Sequence, residues 1–424
     1  MSLLDQIFAK LYLPGAILAL NILNLYQKIR YFFSKNTIHK KTDFKHDHYV
    51  VIAMYQKGYL RDDIKKLLKT LKSQNCYISV VNCLKLNKNE INSNKNLFDS
   101  YVERFNYGRD FGCYKKGITD YYKYSSDVKH KRFLILNDSL FYSSNNLEGF
   151  IKDLLNTNYE ALGFSENHDE EYHLASFGIS LDYELINSKA LKKYWKGYPL
   201  SDMRKHTIRK GELLFSRAIK KGLRDPSSIS ALINSRLLLE YLNKDEKYLN
   251  HFLDYTTEEV EVGKSVLKPQ TLATLIQSPV FEESFLKKAQ DGNLKTEKEN
   301  QFFSVNIPSF IDQIHSKGIL NKDENTYNEI KNYMHEQLKS IWVRDFYVGS
   351  QFHHHPVMFM EMGCPGIKLD MIYRGLLGPK DFNKISRYLT TDESKTLYEM
   401  LNSRQYGAKS LRGWKQAAFI HGLI

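Results

Sequence analysis

The sequence predicts an α/β fold built around a mainly parallel sheet. From Tyr49 onward, short apolar runs that suit buried strands alternate with segments whose apolar residues recur at helical spacing. The first such pair is a strand over Tyr49–Met54 and a helix over Arg61–Ser73. Strands that alternate with helices form parallel sheets, which bind ligands at the carboxyl ends of their strands. A functional site is therefore expected where the predicted strands end.

The later elements continue this alternation as far as about residue 223. The Asn- and Lys-rich stretch 85–96 predicts a loop. We predict an α/β domain over residues 45–225, a helical region over 226–343, and a final block over 344–424 that returns to the functional site. The further predicted strands are Tyr77–Val81, Tyr101–Phe105, Phe133–Leu136, Ala161–Phe164 and Leu174–Leu181, and the further predicted helix is Leu147–Leu155.

Residues 1–44 form a separate segment, apolar and aromatic at first and basic at its end. No charged side chain lies between Lys10 and Lys28, but Pro14 interrupts the apolar run. A membrane-spanning helix needs about 20 mainly apolar residues, so the segment predicts an amphipathic helix lying on an anionic membrane surface through residues 3–41. A helix packed on the protein itself or on a partner is the alternative.

The composition is basic, with 61 Lys and Arg against 48 Asp and Glu and a formal charge of +13. A positive surface attracts anionic partners such as a membrane, a nucleic acid or a nucleotide. No RRM, KH, zinc-finger or helix-turn-helix signature is present, so a nucleic-acid partner is not expected. The four cysteines form no C-x-x-C pair, which argues against a zinc site or a disulfide framework and fits a reducing cytoplasm.

A glycine-bearing turn precedes a helix that we expect to begin near Phe111. Backbone N–H groups at a helix start bind phosphates, and Arg109 is suited to bidentate phosphate contacts. Gly108 permits an unusual backbone angle or close approach to a ligand, and Asp110 suits either a helix cap or a ligand for a hydroxyl group. With Asn106, these residues are the first part of a predicted nucleotide-diphosphate site.

The second part is Asn137-Asp138-Ser139, which follows an apolar strand. A carboxylate at the carboxyl edge of a sheet can bind a Mg²⁺ or Mn²⁺ ion that bridges two phosphates, so Asp138 is the candidate metal ligand. The same tripeptide is also common in turns. We expect Arg109 and Asp138 to converge around a single pyrophosphate.

The order of several blocks resembles GT-A glycosyltransferases and, more narrowly, the rhamnan synthesis protein F family of bacterial surface-polysaccharide synthesis. The blocks lie within residues 49–222 and 344–378. They are Gly108-Arg109-Asp110, Leu136-Asn137-Asp138-Ser139, Ala161-Leu162-Gly163-Phe164, His173-Leu174-Ala175-Ser176-Phe177, Ile208-Arg209-Lys210-Gly211-Glu212, His355-Pro356 and Pro365-Gly366-Ile367-Lys368.

The resemblance implies a GT-A-like (Rossmann-like) nucleotide-sugar domain and an NDP-sugar donor such as dTDP-rhamnose. It also implies a lipid-linked acceptor of the capsule, O-antigen or rhamnan type, and a peripheral enzyme on the cytoplasmic face of a bacterial plasma membrane. The usual two-acid D-x-D motif is reduced here to one carboxylate, Asp138, which leaves dependence on a divalent cation open. A sugar- or polyol-phosphate transferase of the same polymers is the alternative function, and a basic nucleic-acid-binding protein, suggested by the charge alone, ranks below it.

An inverting glycosyl transfer needs a general base that takes the proton of the acceptor hydroxyl. Glu212, at the start of a predicted amphipathic helix, and Glu166, after a predicted strand, are the two candidates. An acidic residue in a first helical turn is also favoured by the helix dipole alone. His173 is the candidate acceptor ligand, and Lys368 and Arg374 are cations of the final block suited to the donor diphosphate.

Overall fold

The computed structural model describes residues 3–124, 128–244, 257–261, 264–267, 356–375, 377, 379–403 and 407–424, and single helical positions between 332 and 347. The chain forms two compact units. The first contains residues 1–234 and 363–424, and the second contains residues 235–362. All of the candidate site residues belong to the first unit.

The strands are β1 (Thr37–Lys41), β2 (His48–Met54), β3 (Cys76–Asn82), β4 (Ser100–Glu103), β5 (Arg132–Asn137), β6 (Leu140–Tyr142), β7 (Ala161–Asn167), β8 (His173–Leu174), β9 (Gly178–Asp182), β10 (Ile229–Ile233), β11 (Thr257–Glu261), β12 (Lys264–Leu267) and β13 (Gly366–Lys368). The helices are α1 (Leu3–Phe32), α2 (Asp62–Ser73), α3 (Lys88–Ser93), α4 (Arg109–Tyr124), α5 (Leu147–Leu155), α6 (Tyr183–Ile186), α7 (Lys189–Gly197), α8 (Arg204–His206), α9 (Leu214–Gly222), α10 (Ser235–Lys244), α11 (Pro356–Glu361), α12 (Asp370–Arg374), α13 (Pro379–Ile385), α14 (Thr391–Ser403) and α15 (Gly413–Ile420).

The main sheet is mixed and mostly parallel, as predicted. Its order is β1-β4-β3-β2-β5-β9-β7-β10, and β8 pairs with β7. Strands β4, β3, β2 and β5 are parallel to one another, and β10 is parallel to β7. Strand β9 runs in the opposite direction between β5 and β7, and β1 runs opposite to β4.

The strand order reverses beside β2. The chain places β3 and β4 on one side of β2 and then returns to place β5 on the other side. In open α/β sheets the crevice at such a reversal, outside the carboxyl ends of the strands, is where ligands bind. This reversal lies where β2 ends at Met54 and β5 ends at Asn137.

The centre of the sheet is covered on both faces. Every residue of β2, β3 and β5 is buried, and most of these residues are apolar, as expected for strands that are covered on both faces. Tyr49 stacks on Phe133 with ring centroids 5.4 Å apart, and on Tyr77 at 4.9 Å. Gly117 lets α4 approach β2 closely, because a Cβ atom there would lie 2.5 Å from Val51 Cγ1.

Three regions differ from the sequence prediction. The stretch predicted as a loop over 85–96 contains α3, and the predicted strand Leu174–Leu181 is divided into β8 and β9. The region predicted as helical over 226–343 contains β10, which joins the main sheet, and the hairpin β11–β12. Most of that region lies outside the described residues.

The N-terminal segment forms one helix, α1, which continues through Pro14. Within the described ranges, no helix is long and apolar enough to cross a membrane. Ala16 of α1 is buried against Ala418 and Leu423 near the C-terminus.

The final block contributes β13, which pairs antiparallel with β6 in a separate two-stranded sheet, with Lys368 opposite Leu140. This pairing brings residues 366–368 next to the end of β5.

Candidate functional site

Asp138 lies at the reversal of the strand order. Its side chain is 7 % exposed, and its Oδ2 accepts hydrogen bonds from Tyr55 N at 2.8 Å and from Gln56 Nε2 at 2.5 Å. The backbone of Gln56 is in turn paired with the Asn82 amide at 3.0 and 2.9 Å. Polar side chains thus join the carboxyl ends of β2, β3 and β5 in one network.

Arg61, just before α2, supports the turn that carries Asp138. Its guanidinium donates to the carbonyl of Asp138 at 3.1 Å and to the carbonyl of Leu140 at 2.7 Å. It also forms a bidentate pair with Asp63, with both N–O distances at 2.9 Å. The Arg61 guanidinium therefore fixes the β5–β6 turn, and the Asp63 carboxylate neutralises its charge.

The two segments that the sequence predicts to converge are in contact. Asn137 Nδ2 donates to Asp110 Oδ2 at 2.9 Å. Asn137 Oδ1 accepts from the backbone and hydroxyl of Ser139 at 3.1 and 2.6 Å. The end of β5 and the first turn of α4 therefore meet at the carboxyl edge of the sheet, where open α/β sheets have their ligand crevice. We call this region the cleft.

Five charged side chains act on one another in this cleft. Burial raises the pKa of Asp110, and the Asp138 carboxylate adds to the rise, whereas Lys368 and Arg109 oppose it. Burial lowers the pKa of Lys368 against the opposing effect of Asp110 and Glu212. The cleft therefore holds cations and carboxylates within electrostatic reach of one another.

Lys368 reaches the cleft from the final block. Its Nζ donates to Ser139 Oγ at 2.9 Å and lies 4.5 Å from the centroid of the Phe177 ring. The backbone N–H of Leu369 donates to the carbonyl of Ser139 at 3.0 Å. This lysine is thus held beside the carboxylates by side-chain and backbone contacts.

The turn before α4 has a strained backbone. Gly108 has φ +91° and Arg109 has φ +51°, which is unusual for a residue with a side chain. A Cβ atom on Gly108 would lie 3.0 Å from Leu200 Cδ2, so this turn requires glycine on both counts. Helix α4 begins at Arg109, two residues before the predicted start at Phe111.

A carboxylate from elsewhere in the chain caps this helix start. Asp202, in the loop before α8, accepts from Gly108 N at 2.7 Å and also from the N–H of Arg109. Carboxylates are stabilised at a helix N-terminus by the N–H groups that point towards them. The backbone of this turn therefore already has a carboxylate partner, and the predicted role of Arg109 and Asp110 as ligands of a donor phosphate stays a prediction.

Glu212 lies in a π-helical segment, Thr207–Leu213, and not at the start of α9 as predicted. Its Oε1 accepts a hydrogen bond from Ser176 Oγ at 2.7 Å. Ser176 precedes β9, which runs antiparallel to β5, so it lies at the same edge of the sheet as Asp138. Single π-helical turns are rare and often occur at functional sites.

The π-helical segment is fixed by close packing on α4. A Cβ atom on Gly211 would lie 2.9 Å from the ring of Phe111. The Tyr194 hydroxyl donates to the carbonyls of Lys210 and Gly211 at 3.0 and 3.1 Å. These contacts hold the backbone next to Glu212 in place.

Glu166 and His173 lie in the β7–β8 hairpin. Glu166 is buried, with His168 Nε2 3.4 Å from its Oε1 and the Tyr172 hydroxyl hydrogen-bonded to it. His173 is also buried, with its Nδ1 2.8 Å from the carbonyl of Glu171. Both therefore have local partners, and their predicted roles stay predictions.

Asn106 and Arg374 complete the set of predicted residues. Asn106 is exposed in the turn before α4. Arg374 donates to Asp370 at 2.8 Å and to the carbonyl of Ile424 at 2.9 Å, contacts that lie within the final block.

The described residues contain no group of three or more His, Cys, Asp or Glu that could hold a metal ion. Mg²⁺ is commonly bound through one or two carboxylates together with substrate phosphates and water. The Asp138 carboxylate acts electrostatically on Asp110, so these two residues fit that smaller requirement and are the ones that would hold such a cation.

A second concavity lies at the opposite, amino-terminal edge of the sheet. It has a volume of about 450 Å³, and its lining includes Asp47, His130, Lys131, Tyr183 and Arg224. Its charges are mixed, and Arg224 is already paired with Glu160.

No family model matches the chain. The chain is similar to the uncharacterized protein y4gN of Sinorhizobium fredii, with 22 % identity over 171 residues, which are 39 % of this chain and 44 % of that protein. The chain thus spans less than half the length of this curated relative. A likeness also exists to the mannosyltransferase PcManGT from Pyrobaculum calidifontis in complex with GDP-Man and Mn²⁺, with 9 % identity, a TM-score of 0.28, and coverage of 81 % of this chain and 98 % of that chain. At this TM-score the likeness carries no argument about fold or activity.

Proposed function

We propose that the protein is a glycosyltransferase with a GT-A-like fold that moves a sugar from an NDP-sugar to a hydroxyl acceptor. The observation that supports this most is the meeting of Asp138, Asp110 and Lys368 at the reversal of the strand order. A nucleoside diphosphate needs cations for its phosphates and acceptors for its hydroxyl groups, and this cleft offers both.

The donor diphosphate would be held by Lys368 and Arg109. Negative charge grows on the diphosphate as the glycosidic bond breaks, and a fixed cation in a cleft stabilises it. Asp110 and Asp138 would hold a Mg²⁺ or Mn²⁺ ion bound to the phosphates, and such an ion would add positive charge at the leaving group. Asn137 orients the Asp110 carboxylate for either role.

Glu212 is the proposed general base. A carboxylate there takes the proton from the acceptor hydroxyl as its oxygen bonds to the sugar carbon, and the diphosphate leaves from the opposite side. The hydrogen bond from Ser176 holds one oxygen of Glu212 in a fixed direction. Glu166 remains the second candidate base, and His173 the candidate acceptor ligand.

The resemblance to the rhamnan synthesis protein F family supports the finer parts of the proposal. These are a rhamnosyl donor, a lipid-linked acceptor glycan of the capsule, O-antigen or rhamnan type, and a peripheral position on the inner face of a bacterial plasma membrane.

Thermal unfolding with a panel of NDP-sugars, with and without Mn²⁺, tests the proposal. A ligand at about 100 times its Kd stabilises the folded state by about 2.7 kcal/mol, which raises the melting temperature by a few degrees. We expect one or more nucleotide sugars to do this and to be consumed in the presence of an acceptor glycan. No response to any nucleotide sugar would contradict the proposal.

A further inference from the structure

Helix α1 exposes a continuous apolar stripe. Leu18, Ile22, Leu25, Ile29 and Phe32 recur every three or four residues, so they share one face of the helix. Each of these side chains is more than half exposed, and Phe32 is 81 % exposed. A stripe of this length on a surface helix marks an interaction site rather than scattered surface residues.

The Lys and Arg side chains beside the stripe lie in a stretch of sequence without acidic residues. Residues 11–42 contain no Asp or Glu, whereas Lys28, Arg30, Lys35, Lys40 and Lys41 follow one another through the end of α1 and β1. Lys28, Arg30, Lys35 and Lys41 are exposed. Two copies of this chain that met across the stripe would bring these cations together, whereas an anionic lipid surface would neutralise them.

The other side of α1 packs on the turn that forms the candidate site. The Tyr31 ring lies 5.5 Å from the Tyr107 ring and 5.3 Å from the Arg104 guanidinium, measured to the ring centroid. Asn24 Oδ1 accepts from Asp202 N at 2.8 Å and from Ser201 Oγ at 3.2 Å. Helix α1 therefore contacts both segments that position Gly108.

These contacts form a short chain from the helix to the site. Asn24 holds the backbone of Asp202, and the Asp202 carboxylate accepts from the N–H of Gly108 at 2.7 Å. Gly108 is two residues before Asp110, whose carboxylate accepts a hydrogen bond from Asn137. A change in the position or mobility of α1 would thus reach the cleft through two hydrogen bonds.

We propose that α1 docks on an anionic bilayer through its apolar stripe, and that docking steadies the Gly108 turn through Asn24 and Asp202. Since α1 is not apolar enough to cross a membrane, it lies in the interface, with the stripe at the boundary between headgroups and acyl chains. The docking and the steadying of the turn do not depend on the proposed function. A consequence of docking for sugar transfer does rest on it.

Sedimentation with lipid vesicles tests the docking. The full-length protein should bind vesicles of equal parts phosphatidylcholine and phosphatidylglycerol, bind phosphatidylcholine vesicles far more weakly, and dissociate at high salt. Ile22→Glu removes one inserted side chain and adds a negative charge, so it should weaken binding about tenfold or more. Tyr398→Glu alters an equally exposed apolar residue on α14, 51 % exposed, and should leave binding unchanged.

Two results would overturn the docking proposal. One is that Ile22→Glu binds vesicles as tightly as the wild-type protein does, while circular dichroism shows that the variant is folded. The other is an absence of vesicle binding together with a dimer that Ile22→Glu converts to a monomer, which would assign the stripe to a second copy of the chain.

Amide hydrogen exchange tests the steadying of the turn without any nucleotide sugar. Anionic vesicles should slow exchange at Gly108 in the wild-type protein, because its N–H is bonded to Asp202. In Asn24→Ala, which keeps the apolar stripe, vesicles should still bind but should no longer slow this exchange. Equal slowing in both proteins would show that Asn24 does not carry the effect, whether or not the protein is a glycosyltransferase.

Discussion

The Lys368 ammonium is a cation that the final block holds at the candidate site. It donates to Ser139 Oγ, and burial lowers its pKa while Asp110 and Glu212 oppose that change. Partial removal of an ammonium group from water costs free energy, and ionisable groups with shifted pKa values often occur at functional sites. Binding of a diphosphate is a role that needs this charge.

Replacing Lys368 should therefore weaken donor binding. A hydrogen bond to a charged group contributes about 1.5–3 kcal/mol, so Lys368→Ala should raise the donor Kd about tenfold to a hundredfold. Lys152→Ala, on an exposed residue of α5 that pairs with Glu148, is the matched control and should leave the Kd unchanged. Isothermal titration with the donor measures both, and equal affinities would argue against a diphosphate at this lysine.

The Glu212 carboxylate should matter for turnover and not for donor binding. Glu212→Gln keeps the acceptor for Ser176 Oγ but removes the base, so kcat should fall by about 10²–10⁴ while the donor Kd stays within about twofold. Glu171→Gln, a change in a glutamate that pairs with Arg217, is the control. Near-normal turnover in Glu212→Gln would exclude Glu212 as the base and favour Glu166.

Two buried histidines predict how stability depends on pH. Burial lowers the pKa of His48 and of His130 from 6.5 to about 4. Between these values the unfolded chain binds protons that the folded chain does not, so stability is complete above about pH 6.5 and falls as the pH drops towards 4.

Each histidine contributes at most about 3 kcal/mol to this loss. The free energy of unfolding by urea should therefore be lower by a few kcal/mol at pH 5 than at pH 7, and the difference should shrink in His48→Phe. A free energy that is flat over this interval would contradict the assignment of neutral, buried histidines.

At the residue scale, part of the site could be predicted because strand ends meet at one edge of a sheet. This rule predicts Asp138 as a site residue at the end of β5. The same rule, applied to the ends of β2 and β3, also indicates Gln56 and Asn82. Asp202 could not be predicted in this way, because it lies in a loop without periodicity and reaches α4 only through the tertiary fold.

At the scale of elements, the strands of the main sheet were the most predictable. Strands buried on both faces are largely apolar, so the central residues of β2 and β5 are evident as apolar runs in the sequence. The π-helical segment Thr207–Leu213 was not predictable, because its apolar spacing differs little from that of an ordinary helix. Its position depends on the contact of Gly211 with Phe111 in α4.

A methyl group at Gly211 should disturb this element. The Cβ atom would lie 2.9 Å from the Phe111 ring, and such overpacking costs about 1–3 kcal/mol. Gly211→Ala should therefore lower the free energy of unfolding by that amount and reduce turnover, because the backbone next to Glu212 shifts. Gly197→Ala, where a Cβ atom meets nothing within 4 Å, should change neither, and an equal effect in both variants would remove the packing argument.

At the scale of the whole molecule, the final block joins the first unit by contacts that no local pattern predicts. Beyond the β13–β6 pairing, Glu393 of α14 accepts from the backbone and hydroxyl of Ser144 at 2.7 and 2.9 Å and pairs with Lys66 of α2. The sequence predicts that this block returns to the functional site. It does not predict the individual contacts, because the partner residues lie more than 200 positions away along the chain. Such contacts follow only from the folded arrangement.

We propose that the nucleotide sugar binds in the cleft at the carboxyl edge of the sheet and not in the cavity at the opposite edge. Hydrogen exchange of the full-length protein, measured with and without a stabilising nucleotide sugar, distinguishes the two sites. We expect slower exchange at residues 55–56, 108–112, 138–140 and 366–369. Slower exchange confined to residues 129–131 and 182–184, which line the opposite cavity, would contradict it.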